Sequence, residues 1–205
     1  YGEAIGTGAD ITVFSFHHVK PITTGEGGAI LTNNEKYYRK LLLLRSHGIT
    51  KDANGFNVMT ELGFNYRLTD IQAALGVSQL KKLERFNKKR RLVVKWYEKY
   101  LSDLDGIILP IEKSSSHSAW HLYVVRTKVI KDRLPLYNYL RQAEIGVNFH
   151  YPCVYQHPYY QKNGFAGVEC PIAEKYTATA ITLPLHVLLT HRDIVFITKT
   201  VKDYF

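Results

Sequence analysis

The residues from Ser15 to Gly28, SFHHVKPITTGEGG, place a lysine, a serine, two histidines and three glycines on one short stretch. Lys20 follows the β-branched and aromatic run Asp10 to Phe16, DITVFSF, which reads as a buried strand. A primary amine on a loop leaving such a strand is fixed in place and partly desolvated. That setting disfavours the ammonium form and makes the amine a nucleophile toward a carbonyl carbon. Ser15 can turn its hydroxyl toward an oxyanion at the same strand end, and the glycines let the backbone pass close to a bound molecule. The plain alternative is a solvated surface lysine, which is how most lysines are used.

The elements around this loop can be read from pattern. Ala29 to Thr32 forms a short second strand after the glycines. A helix capped by Asn33 or Asn34, with Glu35 in its first turn, runs to about Ser46 and stops at Gly48. Lys51 to Gly63 reads as an irregular connection turning at Asn54-Gly55. Thr69-Asp70-Ile71-Gln72 is a capping box that opens the longest helix, with apolar positions continuing to Tyr100. Beyond Pro110, strands at Trp120 to Thr127 and Val147 to Phe149 alternate with helices at Arg133 to Glu144, Ala173 to Ala180 and Thr190 to Phe205. This is an α/β alternation, and a boundary near Leu109 divides 1–109 from 110–205.

The composition suits a globular chain. Of 205 residues 45% are hydrophobic and 22% charged, and 15 tyrosines and 9 phenylalanines argue against disorder. No apolar run approaches the ~18 residues of a membrane span, and the first residues lack a secretory pattern. Cys153 and Cys170 are too few for a disulfide framework and read as reduced thiols of a cytoplasmic protein. The net charge of +9 gathers partly between Lys81 and Lys99. Such a stripe can attract nucleic acid or be the solvated face of a long helix; no recognition motif accompanies it, and the second reading is preferred. A non-catalytic fragment that dimerises through the long helix is the third class.

The order of residues carries more than the composition does. The lysine segment resembles the S-F-H-x-x-K-x-[IL]-T-T-G-E-G-G signature of the DegT/StrS-type sugar aminotransferases. Arg45-Ser46-His47-Gly48 resembles the family's R-x-H-G. Gly63 to Ala74, GFNYRLTDIQAA, resembles its G-[YF]-N-Y-R-x-T-D-I-Q-A-A. His150-Tyr151-Pro152 with His157-Pro158 is similar to its H-Y-x-P-x-H-x-x-P region, and Pro171 to Glu174 and Leu183-Pro184-Leu185 to its closing motifs. Within the family, Ser46 to Thr50 and Val19-Lys20-Pro21 are most similar to the aminotransferases of pseudaminic-acid biosynthesis.

The resemblance implies a fold-type I aminotransferase that uses pyridoxal phosphate (PLP). Residues 1–109 would then be a remnant of the cofactor-binding large domain with its long helix, and 110–205 the small α/β domain. It implies that Lys20 bonds the cofactor and shuttles a proton, and that Ser15 donates to the cofactor phosphate. It implies that Asn65 reaches the phosphate in the neighbouring subunit of a homodimer. Phe149, His150, Tyr151 and His157 would lie near a nucleotide-sugar substrate, with L-glutamate as amino donor. Some relatives are dehydratases with histidine at the lysine position, so Lys20 favours transamination. No metal is implied.

Each role has a bland alternative: Ser15 bonding backbone, Asn65 as a turn residue, the histidines as satisfied structural groups, and Tyr151 as packing. Family members also carry a long amino-terminal half, with the aromatic that stacks on the cofactor and the aspartate that pairs with its ring nitrogen. The chain alone is therefore expected to be inactive.

Overall fold

The computed structural model describes residues 4–205, which form two compact units, one ending at Glu84 and one running from Arg85 to Phe205. In the first unit β1 (Thr12–Ser15) pairs antiparallel with β2 (Gly28–Leu31), in the register Ser15 opposite Gly28. Helix α1 (Glu35–Arg45) follows. The Asn34 side chain accepts from Lys36 N and Tyr37 N at its start. At its end His47 and Gly48 both take positive φ, and Gly48 N–H donates to Leu43 O. A Cβ at Gly48 would fall 1.9 Å from Glu61 O, so position 48 is closed to any larger residue.

The stretch expected to be irregular instead holds a small hairpin, β3 (Ile49–Lys51) with β4 (Asn57–Met59). Its turn is where Asn54-Gly55 placed it, and Asp52 Oδ1 accepts from Asn54 N and Phe56 N. Helix α2 (Asp70–Leu80) opens on the expected capping box. It ends there, however: Lys82 N–H donates to Gln79 O, and a separate helix α3 (Leu83–Leu101) begins.

β1 was expected to be buried, and it is not. Val13 is 71% exposed and Leu31 54%, and none of the buried hydrophobic residues lies in the first unit among the described residues. A two-stranded ribbon has two faces, and here neither is packed closely enough to exclude water.

The second unit is built differently. β5 (Ile107–Ile108), β6 (Tyr123–Thr127) and β7 (Ala180–Leu183) form an antiparallel sheet in that order. One face of α3 buries Arg90, Val93, Val94, Tyr97 and Leu101, the i, i+3, i+4, i+7 spacing of a helix packed on a core. Helices α4 (Arg133–Gln142) and α7 (His191–Tyr204) add Leu136, Leu140, Ile194, Ile197 and Val201 to the same cluster. Tyr97 stacks on Tyr123 at 4.6 Å, and its hydroxyl donates to Pro184 O at 2.8 Å. Two short helices, α5 (Pro158–Tyr160) and α6 (Pro171–Thr177), lie between α4 and β7.

The compact units therefore divide between Glu84 and Arg85 rather than near Leu109, because α3 gives its apolar face to the carboxy-terminal core. Two further expectations are corrected. Val147 to Phe149 makes only a single bridge, Asn148 opposite Thr182. The helix expected over Ala173 to Ala180 ends at Thr177, and the fully buried Ala180–Leu183 is a strand. The basic stripe is also less uniform than the sequence suggested. Arg90 is buried, and Arg91 is held by both oxygens of Glu112 at 2.9 and 3.0 Å.

Candidate active site

The lysine loop is closed at its base by the last residue of the strand extension. Phe16 O accepts from both Thr24 N–H and the Thr23 hydroxyl, each at 3.0 Å, and Phe16 N–H donates to Gly27 O at 2.8 Å. Inside this lariat the chain turns at His17 to Lys20, where Lys20 N–H donates to His17 O at 2.9 Å. Lys20 is half-buried. At the strand end the exposed Ser15 Oγ accepts from His17 N–H at 3.3 Å, which leaves the hydroxyl proton to be donated elsewhere.

Helix α2 braces the loop from below. Thr24 is 4% exposed, and its hydroxyl donates to Glu26 O at 2.7 Å. Gln72 uses its two ends differently. Its Oε1 accepts from Thr69 N–H to complete the helix cap, while its Nε2 donates to the same Glu26 O at 2.9 Å. A Cβ on Gly27 would meet Thr24 Oγ1 at 2.4 Å, and one on Gly76 would meet Thr24 Cγ2 at 2.9 Å. These glycines let strand, loop and helix approach closely enough to fix Lys20. The sequence marked Gln72 as a cap only; its long-range contact with the loop had no local signal. Thr24→Val should break the inner bond and cost about 1–2 kcal/mol, read by urea unfolding, with weaker PLP retention on dialysis.

His17, His18 and Glu26 also converge. His17 Nε2 is 3.7 Å from Glu26 Oε1, and the two imidazoles stand 3.9 Å apart. Their ligand atoms lie within 4.8 Å of one another, a looser group than the ~3.3 Å edge set by zinc bonds of about 2.0–2.1 Å. The grouping reads as a loop contact.

Asn65 is exposed, and its backbone bridges to Ser46 through bonds from His47 N–H to Phe64 O and from Tyr66 N–H to Arg45 O.

The remaining expected site residues belong to the second unit. Tyr137 stacks on Phe149 at 4.3 Å, and the Arg133 guanidinium lies 3.7 Å from the Phe149 ring centre. Burial pushes the Arg133 guanidinium below its ordinary value. His150 Nδ1 is 2.8 Å from Thr182 Oγ1, and the neighbouring Tyr151 is 62% exposed with its ring edge-on to His150 at 4.6 Å. His157 has an exposed ring and serves by its backbone at the start of α5, accepting from Gln161 N–H. Counted along H-Y-x-P-x-H-x-x-P from His150 to Pro158, the second histidine falls at position 155, where this chain has Tyr155. Tyr155 is the better-connected residue, with its hydroxyl donating to Glu174 Oε1 at 2.6 Å.

The sequence matches the DegT/DnrJ/EryC1/StrS aminotransferase family over residues 1–202. The chain belongs to this family. Among curated relatives, a Campylobacter jejuni UDP-4-amino-4,6-dideoxy-N-acetyl-β-L-altrosamine transaminase is 36% identical over 97% of this chain and 53% of its own length. Among solved structures, PseC of Helicobacter pylori, an aminotransferase of pseudoaminic acid biosynthesis, aligns with a TM-score of 0.90 and 33% identity, over 96% of this chain and 53% of PseC. The Streptococcus pneumoniae sugar aminotransferase Spr1654 in its PLP form aligns at 0.89 and 30%, over 99% of this chain and 53% of its own.

This DegT/DnrJ/EryC1/StrS chain thus spans about half the length of the relatives it matches, and the α/β organisation is that of a fold-type I aminotransferase. The cofactor of the family is PLP. The donor set fits it, with an amine for a carbonyl carbon and a hydroxyl whose proton is available to a phosphate oxygen. Among the described residues no helix is long and apolar enough to cross a membrane.

Proposed function

We propose that this chain works in a PLP-dependent aminotransferase that moves an amino group from L-glutamate to the keto carbon of a UDP-linked 4-keto-6-deoxy sugar. The product would serve pseudaminic-acid or related glycan synthesis in the cytoplasm. The observation that carries the reading is Lys20, held on a loop tied at Phe16 and braced by Gln72, in a chain matched to the family along nearly its whole length.

Lys20 Nζ would hold the cofactor at its carbonyl carbon and, as a free amine, would carry the proton taken from the donor's α-carbon. PLP, when bound, supplies the electron sink. Ser15 donates its hydroxyl to the phosphate, and Asn65 of one protomer donates to the phosphate held by its partner in a homodimer. Phe149, His150, Tyr151 and His157 take the nucleotide-sugar side. The exposed apolar faces of β1 and β2 favour the further proposal that the 205 residues alone do not turn over.

The test uses the chain extended by the sequence encoded upstream of Tyr1. With PLP and L-glutamate but no sugar, the absorbance of the lysine-bound cofactor should convert to that of the amine form; a 4-keto sugar nucleotide should then restore it. A spectrum unchanged by glutamate and by other amino donors would contradict the reading. In the same protein Ser15→Ala should weaken PLP binding roughly ten- to hundredfold, the worth of one hydrogen bond to a charged group, measured by equilibrium dialysis.

A further inference from the structure

The segment from His150 to His157 is pinned at two points to consecutive elements. At one end His150 Nδ1 lies 2.8 Å from Thr182 Oγ1 on β7. Five residues later, Tyr155 OH donates to Glu174 Oε1 on α6 at 2.6 Å. The second anchor is reinforced from both sides. Cys170 N–H lies 3.1 Å from the Tyr155 oxygen and 3.2 Å from Glu174 Oε1. Gln161 Nε2 donates to Tyr155 O at 2.6 Å. Between the two anchors Cys153 is buried, while Tyr151 is 62% exposed and Val154 56%.

An exposed tyrosine on a loop ordinarily samples several orientations, and holding it in one costs side-chain entropy at each binding event. Fixing the backbone on both sides removes part of that cost beforehand. A phenol–carboxylate bond suits the task, because a hydrogen bond to an ionised acceptor is about twice as strong as a neutral one. The titration of the pair agrees with the geometry. Desolvation, and then the bond to Glu174, push the Tyr155 phenol upward, and the bond from Tyr155 holds the Glu174 carboxyl below its usual range.

We propose that Tyr155 and Glu174 form a positioning pair that presents Tyr151 and its neighbours to the nucleotide-sugar, setting its affinity without taking part in the chemistry at Lys20. This rests on the aminotransferase reading above. The two amino-acid positions touch no reacting atom; they act through the segment they hold.

The experiment compares wild type with Tyr155→Phe, Glu174→Ala and Glu174→Gln in the upstream-extended chain. Three readouts are taken: deuterium uptake by amides 150–157, the glutamate half-reaction without sugar, and KM against kcat for a UDP-linked 4-keto sugar. Tyr155→Phe and Glu174→Ala should speed exchange in the segment and raise the sugar KM roughly tenfold, with the glutamate half-reaction unchanged. Glu174→Gln keeps an acceptor for the phenol and should recover most of the loss. An unchanged KM, or equal losses in both half-reactions, would overturn the proposal, the second because it marks general structural damage. If wild type shows no glutamate half-reaction, the aminotransferase reading fails and the affinity role falls with it. Exchange faster in Tyr155→Phe would still uphold the anchoring, and unchanged exchange would overturn that as well.

Discussion

Replacing Lys20 by alanine is expected to leave the upstream-extended protein folded and able to bind PLP reversibly, but to cut transamination by roughly 10²–10⁴-fold or more from the lost proton carrier alone. The fold should survive because the lariat that holds the loop is made by backbone and threonine groups. Phe16 O receives Thr24 N–H and the Thr23 hydroxyl, and Glu26 O receives the Thr24 hydroxyl and Gln72 Nε2. None of these bonds uses the Lys20 side chain. Single-turnover kinetics with glutamate, beside a thermal melt of the same sample, separates the two effects. A melt that falls with the rate would point to a structural lysine instead.

The second large effect concerns the second unit. Arg90 is 6% exposed, and its Nη1 donates to Trp120 O and His121 O at 3.2 Å and to Leu185 O at 3.0 Å. No carboxylate pairs with it among these contacts, and burial pushes its guanidinium below the ordinary value. A buried cation without a counter-ion persists only where it satisfies acceptors that would otherwise be orphaned. Here it joins α3 to two loops around the sheet of the second unit. Arg90→Met conserves apolar bulk but removes a donor from three carbonyls, at about 1–3 kcal/mol for each that neither water nor another donor reaches. The variant should lose about 3 kcal/mol or more, or roughly 6–12 °C in Tm. Arg90→Lys should fall between, having a donor but not the planar fork. A loss below about 1 kcal/mol in Arg90→Met would show that water replaces the guanidinium.

Where the sequence was readable, the signal was local. The Thr69–Gln72 capping box, the Asn34 cap and the turn at Asn54-Gly55 each depend on residues within four positions of one another, and each is present. The hairpin flanking that turn was missed because its strands are three residues long and exposed on both faces, which leaves no period-two contrast. β7 was missed for the opposite reason: Ala180–Leu183 is buried throughout and follows a helix directly, so its apolar run reads as more helix. The burial expected of β1 rested on its composition, and composition cannot say whether a partner face is at hand.

The site divides along the same line. The family motif placed Ser15 and Lys20 five residues apart; Ser15 ends β1, and Lys20 lies inside the loop closed at Phe16. The bracing by Gln72 and the Tyr155–Glu174 bond join residues 46 and 19 positions apart. Neither pair shares a helix face or a strand register, so no periodicity marks them. His157 was named from its resemblance to the family's histidine–proline region; Tyr155, two residues earlier, holds that segment to Glu174 and Gln161.

The most direct test of the account is covalent. The upstream-extended protein would be loaded with PLP, reduced with borohydride, digested and mapped by mass spectrometry. The account predicts one phosphopyridoxyl group on the peptide carrying Lys20, absent from Lys20→Ala and from unreduced protein. A label spread over surface lysines, or none on Lys20, would contradict it.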